Sequence, residues 1–236
     1  METFQRKIIC AIDTGNLEEA VATVKTLRPY CGAFKIGHGL VLPHGLDVVA
    51  RLQDAGAQRI FLDLKFHDIP NSVAVGVREA ASRGIWMTTL HLSGGPAMIT
   101  AAVEEAKQFG ERSPLLVGVS VLTSLDQHTL TDHLGVQRNL QDHMVYLSKL
   151  GVECGLDGVV CSVHEAPEIR KAIGHSIIVT PGIRPTSGEV HAQVRIGNAQ
   201  DALKAGADYM VIGRALTAAK DPEKALQNLG LDVSPA

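Results

Sequence analysis

The chain has no cysteine pair at metal or redox spacing. Cys10, Cys31, Cys154 and Cys161 stand far apart with no CxxC, and HxH and HExxH are missing as well. That argues against a disulfide framework and against a zinc centre. Cys10 and Cys161 fall inside strand-like apolar runs, where a free buried thiol is the expected state. No block of Lys and Arg occurs and the net charge is −3, so neither nucleic acid nor a membrane surface is an expected partner. The first apolar run, 8–12, is too short for a signal peptide or a membrane span. No GxGxxG joins the first strand to its helix, which weakens an open dinucleotide-binding sheet. Linkers, low-complexity tracts and shifts of composition are also missing. One domain over residues 1–236 is therefore expected, in a reducing, cytoplasmic setting.

What the chain does have is apolar residue: 45% of 236 positions, against 20% charged, enough for a large core. A unit of apolar run, turn and amphipathic stretch repeats. Strands are expected over 7–13, 33–37, 59–65, 85–92, 115–121, 157–162, 176–180 and 209–212. Helices are expected over 17–27 with Asn16 as N-cap, 45–55, 72–82, 95–106, 137–150, 165–172, 199–205 and 214–227, with a loop and short helix over 125–135. Strands that are apolar along their whole length belong to a parallel sheet covered on both faces. Eight such units in one chain of this size point to an α/β fold of the (β/α)₈ barrel type. The longest loop, 182–197, has a composition that suits a mobile lid.

The stretch Phe61-Leu62-Asp63-Leu64-Lys65-Phe66-His67-Asp68-Ile69-Pro70-Asn71 breaks this apolar pattern with three charges. Side chains alternate along a strand, so Asp63 and Lys65 share a face. A structural ion pair is one explanation; a reactive site is the other. Adjacent strands lie about 4.8 Å apart, which brings Lys35 of the second strand within reach. Alone, Lys35 would read as a snorkelling surface lysine. Asp13, His91, Thr123 and Ser162 also fall at strand C-terminal ends, where barrels keep their chemistry; His91 by itself reads as a structural histidine. After strands seven and eight come Thr180-Pro181-Gly182-Ile183-Arg184-Pro185 and Ile212-Gly213-Arg214-Ala215. Glycine lets backbone amides approach an anion, and Arg adds paired hydrogen bonds to phosphate oxygens. Two such turns at these loops suit a phosphorylated ligand. For a metal, only Asp63 with a second carboxylate would offer ligands, of the kind Mg²⁺ takes.

These residues resemble the orotidine 5′-phosphate decarboxylase family in its bacterial form. Asp63-Leu64-Lys65-Phe66-His67-Asp68-Ile69-Pro70-Asn71 is similar to the family signature D-x-K-x-x-D followed by I-P-N. Weaker matches at Ala11-Ile12-Asp13, Phe34-Lys35-Ile36-Gly37, Val121-Leu122-Thr123-Ser124, Gly158-Val159-Val160-Cys161-Ser162, Thr180-Pro181-Gly182-Ile183-Arg184 and Val211-Ile212-Gly213-Arg214 carry it over about 7–222. The resemblance implies a homodimer of barrels with shared active sites, no cofactor and no metal. It implies conversion of orotidine 5′-phosphate to UMP and CO₂, the last step of pyrimidine nucleotide synthesis. Lys65 would protonate C6, flanked by Asp63 and Lys35, with Lys35 also on the ribose. Asp68, with Ile69 and Ser72, would enter the partner's site. Asp13 would bind a ribose hydroxyl and Thr123 the pyrimidine amide edge. Arg184, Gln193, Gly213 and Arg214 would hold the phosphate, with Pro181 beside the substrate. Ser72 departs from the usual Thr but keeps the hydroxyl. The loop 186–195, which carries Gln193, departs from the commoner pattern. Two rival functions remain: a Mg²⁺-dependent sugar-phosphate decarboxylase or epimerase of the same superfamily, and a phospho-ligand sensor that has lost catalysis.

Overall fold

Apolar runs without a polar face fold here into strands buried from both sides. The computed structural model describes residues 4–184 and 197–231. Eight strands pair in parallel and in chain order among them: β1 (Ile8–Ala11), β2 (Ala33–Gly37), β3 (Ile60–Phe66), β4 (Met87–His91), β5 (Leu115–Val119), β6 (Gly158–Val160), β7 (Ile177–Thr180) and β8 (Tyr209–Ile212). The β8–β1 pairing, with Ile9 opposite Val211, closes the barrel. The expected fold class is therefore the observed one.

The helices between the strands are α1 (Leu17–Leu27), α2 (His38–His44), α3 (Val48–Asp54), α4 (Pro70–Ser82), α5 (Gly95–Lys107), α6 (Leu140–Glu153), α7 (Ala166–Ile173), α8 (Ala199–Lys204), α9 (Arg214–Thr217) and α10 (Pro222–Asn228). Asn16 caps α1 as expected, accepting from Glu18 N at 2.9 Å and Glu19 N at 3.1 Å. Three expectations need correction. The helix expected at 45–55 is α3, which starts only at Val48, and a further helix that was not expected, α2, precedes it and ends at Gly45, at φ +67. The helix at 214–227 is two: α9 ends at Thr217, and Asp221 caps α10 with Pro222 as its first residue, accepting from Lys224 N at 3.0 Å. Several strands are shorter than their apolar runs. β1 stops at Ala11, β5 at Val119 and β6 at Val160, because loops to the helices begin while the chain is still buried.

Inside the barrel, every second residue of a strand faces the axis. Ile9, Ala33, Phe61, Met87, Val117, Val179 and Val211 meet there as a packed layer. Below it, at the strand N-terminal ends, Trp86 and Tyr209 pack edge to face with centroids 5.1 Å apart, and the Arg59 guanidinium lies 5.2 Å from the Trp86 ring. Two residues further along each strand comes the mouth: Ala11, Lys35, Asp63, Thr89, Val119, Pro181 and Gly213. The interior is thus solid below and open at the strand C-terminal ends.

Packing between strands leaves no room at Gly158 on β6, where a Cβ would run into the carbonyl oxygen of Ile177 on β7. Gly158→Ala is expected to lower the unfolding free energy by about 1–3 kcal/mol, read from urea denaturation.

Candidate active site

The mouth owes its charge to an irregularity in β3. Leu62 pairs with Thr88 and Phe66 with Leu90, so four steps of β3 face two of β4. Lys65 sits in this bulge at φ +52 and is the sole non-glycine residue with positive φ among the described residues. Such a conformation costs an L-residue about 1–2 kcal/mol and persists only where surroundings impose it. The surroundings here are polar. Asp63 Oδ1 accepts from Lys65 Nζ at 2.8 Å, and Asp63 Oδ2 pairs with Lys35 Nζ at 3.1 Å. The Thr89 hydroxyl accepts from Lys65 N at 2.9 Å and donates to Asp63 Oδ1 at 3.0 Å. Burial alone would pull the Asp63 carboxyl up; the ammonium groups of Lys35 and Lys65 together outweigh it and hold the carboxyl below its ordinary 3.8.

His91 lies next to this network without lining the mouth. Its ring is 5.2 Å from that of His67. Burial lowers its pKa below the ordinary 6.5, His67 and the Lys65 ammonium add to the effect, and Asp63 opposes it.

Across the mouth, the β7 and β8 loops form a second polar group. Gly182 takes φ +78, which glycine adopts freely. Ile183 then bridges to Gly197, with Arg184 N donating to Gly197 O at 3.0 Å and Gly197 N to Gly182 O at 3.4 Å. Arg184 is half-buried, and Arg214 is exposed at the first position of α9. Both line one cavity of about 770 Å³ with Lys35, Asp63 and Lys65. Its remaining wall, on β5, β6 and β7, is apolar: Val119, Val121, Val160 and Val179. Cys161 joins that wall as an inert thiol, its pKa pushed up by burial and then by Glu165. An ammonium–carboxylate pair, two guanidinium groups and an apolar wall therefore face a single cavity. That space suits a ligand with a phosphate at one end and a reacting carbon at the other.

The model of the orotidine 5′-phosphate decarboxylase / HUMPS family matches residues 6–229. The chain belongs to this family. It is 42% identical over 229 residues to orotidine 5′-phosphate decarboxylase of Pseudoalteromonas translucida, covering 97% of each chain. It is 44% identical over 221 residues to the enzyme of the same name from an Enterobacter species, covering 93% of this chain and 89% of the relative. The crystal structure of orotidine 5′-phosphate decarboxylase from Lactobacillus acidophilus superimposes with a TM-score of 0.83 at 33% identity, over 95% of this chain and 97% of the other.

Set against that family's pattern, the fold brings together Asp13, Lys35, Asp63, Lys65, Thr123, Pro181, Arg184, Gly213 and Arg214, all on the cavity wall. Asp68, Ile69 and Ser72 lie outside it, on the turn into α4 and the first turn of that helix. All three are exposed, Ile69 at 67%, and the Asp68 carboxylate accepts from Ile69 N at 2.6 Å. Within one chain the charge array is Lys35–Asp63–Lys65, without Asp68. Gln193, and the part of the expected lid over 185–196, lie outside the described residues. Ser162 is buried off the cavity, and Cys161 takes the place expected for it. Thr89 escaped the sequence reasoning. Its inward position two residues before His91 was legible, but its partners depend on a bulge that alternation does not foretell.

Because Asp63 titrates below its unfolded value, its contribution to stability is present above pH 3.8 and is lost as pH falls through the lowered native value. Urea unfolding measured between pH 5 and pH 2 should therefore show a shallower acid loss in Asp63→Asn than in the wild type. At neutral pH the variant should be less stable, with two ammonium groups left facing each other.

Proposed function

We propose that this protein removes the carboxylate of orotidine 5′-phosphate as CO₂ and releases UMP. One observation carries the proposal: the Lys65 ammonium, bonded to Asp63 at 2.8 Å, opens on the same cavity as Arg184 and Arg214. The names of the curated relatives, matched over nearly the whole chain, support the choice of substrate.

The chemistry follows from the layout. When the C6–carboxylate bond breaks, its electron pair stays on C6 in an orbital outside the ring π system. The Lys65 ammonium beside it stabilises that charge and then delivers its proton to C6, leaving a neutral amine. Asp63 holds Lys65 in place, and Lys35, on the other oxygen of Asp63, also reaches the ribose. Asp13 takes a ribose hydroxyl and Thr123 the pyrimidine amide edge. Pro181 lies against the substrate, and Arg184, Gly213 and Arg214 hold the phosphate, with Gln193 added from the 185–196 segment. The phosphate is distant from C6, so its binding energy positions the ring and raises the rate as well as the affinity.

The active unit is a homodimer with shared sites. Asp68, Ile69 and Ser72 sit together on an exposed turn outside their own cavity, and a large apolar side chain such as Ile69 gains by being covered. In the dimer they reach the partner's cavity and complete the charge network there. The described residues contain no helix long and apolar enough to cross a membrane, and we place the enzyme in the cytoplasm.

A Mg²⁺-dependent sugar-phosphate decarboxylase or epimerase of the same barrel superfamily is the second reading, with Asp63 as a metal ligand. Its metal would meet Asp63 already bonded to two ammonium groups.

An absorbance assay with orotidine 5′-phosphate in the presence of EDTA separates the two: full activity is expected, and loss on chelation favours the second. Lys65→Ala should lower kcat by at least roughly 10²–10⁴-fold while UMP still binds by calorimetry. Arg214→Ala should instead weaken phosphate binding, raising KM about 10- to 100-fold. Mixing inactive Lys65→Ala and Asp68→Ala subunits should restore about a quarter of wild-type activity, since half the dimers are hybrids with one intact site. Recovery of none would count against shared sites.

A further inference from the structure

We infer that Thr89 is a positioning residue for the reaction, the group that fixes Lys65 and Asp63 relative to each other; this rests on the decarboxylase function proposed above. The inference starts from the bulge. Where β3 takes four steps against two of β4, the backbone between Leu62 and Phe66 leaves the regular ladder. A buried N–H released in this way needs a new acceptor. For Lys65 that acceptor is the Thr89 side chain, at 2.9 Å. A hydroxyl has one hydrogen. With the Lys65 N–H directed at its oxygen, that hydrogen goes to Asp63 Oδ1, 3.0 Å away. Asp63 Oδ1 also accepts from Lys65 Nζ at 2.8 Å. The four groups close a ring that runs from the Lys65 amide through Thr89 and Asp63 back to the Lys65 ammonium.

Thr89 is suited to this task. It is 1% exposed, and its β-branched side chain has little freedom at χ1. Its strand is held on the far side by an unbroken ladder to β5, from Met87 opposite Leu115 to His91 opposite Val119. The regular β4–β5 pair therefore holds the irregular residues of β3 through the Thr89 hydroxyl. The preceding residue, Thr88, points the other way. It is fully buried and donates to Leu62 O at 2.9 Å, before the bulge begins. Two neighbouring threonines thus tie down β3, Thr88 at the start of the irregularity and Thr89 within it, and Thr89 is the one whose bonds reach the reacting groups.

This pair supplies the experiment. Thr89→Val, Thr89→Ser and Thr88→Val are assayed with orotidine 5′-phosphate beside the wild type, with thermal unfolding measured on each. Thr89→Val is expected to lower kcat about 10- to 100-fold, as small misplacements of reacting groups do, with KM within about threefold of wild type. Thr89→Ser restores the hydroxyl and should bring kcat most of the way back. Thr88→Val should lose stability and keep its kcat. A wild-type kcat in Thr89→Val overturns the inference; so does a loss in Thr89→Ser as deep as in Thr89→Val, which would assign the effect to packing. Should Thr89→Val fail to fold, amide hydrogen exchange in the wild type decides: the Lys65 N–H should exchange as slowly as the β4 ladder amides, and exchange at an unprotected rate overturns the inference. An inactive wild type would instead overturn the decarboxylase function, and the same exchange measurement would still test the Thr89–Lys65 bond.

Discussion

A carboxylate shared by two ammonium groups is the constraint to which the mouth of this barrel is fitted. Desolvation alone would make Asp63 a poor anion, and each lysine alone would be a half-buried charge without a partner. Together, at 2.8 and 3.1 Å, they satisfy one another. Each member depends on a different part of the fold. Lys35 comes from the neighbouring strand, Asp63 from the last residue of β3 in register with β2, and Lys65 from a backbone conformation that L-residues seldom adopt. The bulge is therefore more than a local defect. Its strain is sustained by the bonds that Asp63 and Thr89 make to Lys65, and those bonds set where the ammonium stands.

Around that constraint the cavity is divided by polarity. Charged groups come from β1 to β3, valines line β5 to β7, and the two arginines come from the loops after β7 and β8. In the function proposed above, the anionic ester of the ligand lies at the arginines and its ring reaches Lys65. Orientation is thus settled by groups distant from the reacting carbon, which is how binding energy becomes rate. The solid layers beneath, from Phe61 and Val117 down to the Trp86–Tyr209 contact, keep water and motion out of the floor of the site.

Much of this was legible along the chain. Eight apolar runs gave eight strands, because a strand buried on both faces tolerates few polar residues. Asn16 marked a helix start through the oxygen it offers to free amides. Asp63, Lys65 and Lys35 stood out as charges in apolar surroundings, and Arg184 and Arg214 through the glycines beside them. Other features did not appear in the periodicity. Helix α2, which ends at Gly45, was not foreseen, and the helix expected over 214–227 is interrupted between Thr217 and Pro222. Asp68, which the family resemblance assigns to the partner's site, lies at the surface of its own chain because the chain turns outward after Phe66.

What residue order determined by itself was therefore the architecture and the inventory of reactive groups, since burial preference and side-chain chemistry are properties of each residue. What only the tertiary structure decided was which groups meet, and with what geometry. Thr89 is the clearest example: in the sequence it is one β-branched residue in an apolar run, and it gains its partners only because β3 bulges opposite it. Contacts of this kind depend on the register between strands far apart in the chain, and register is fixed when the whole barrel closes.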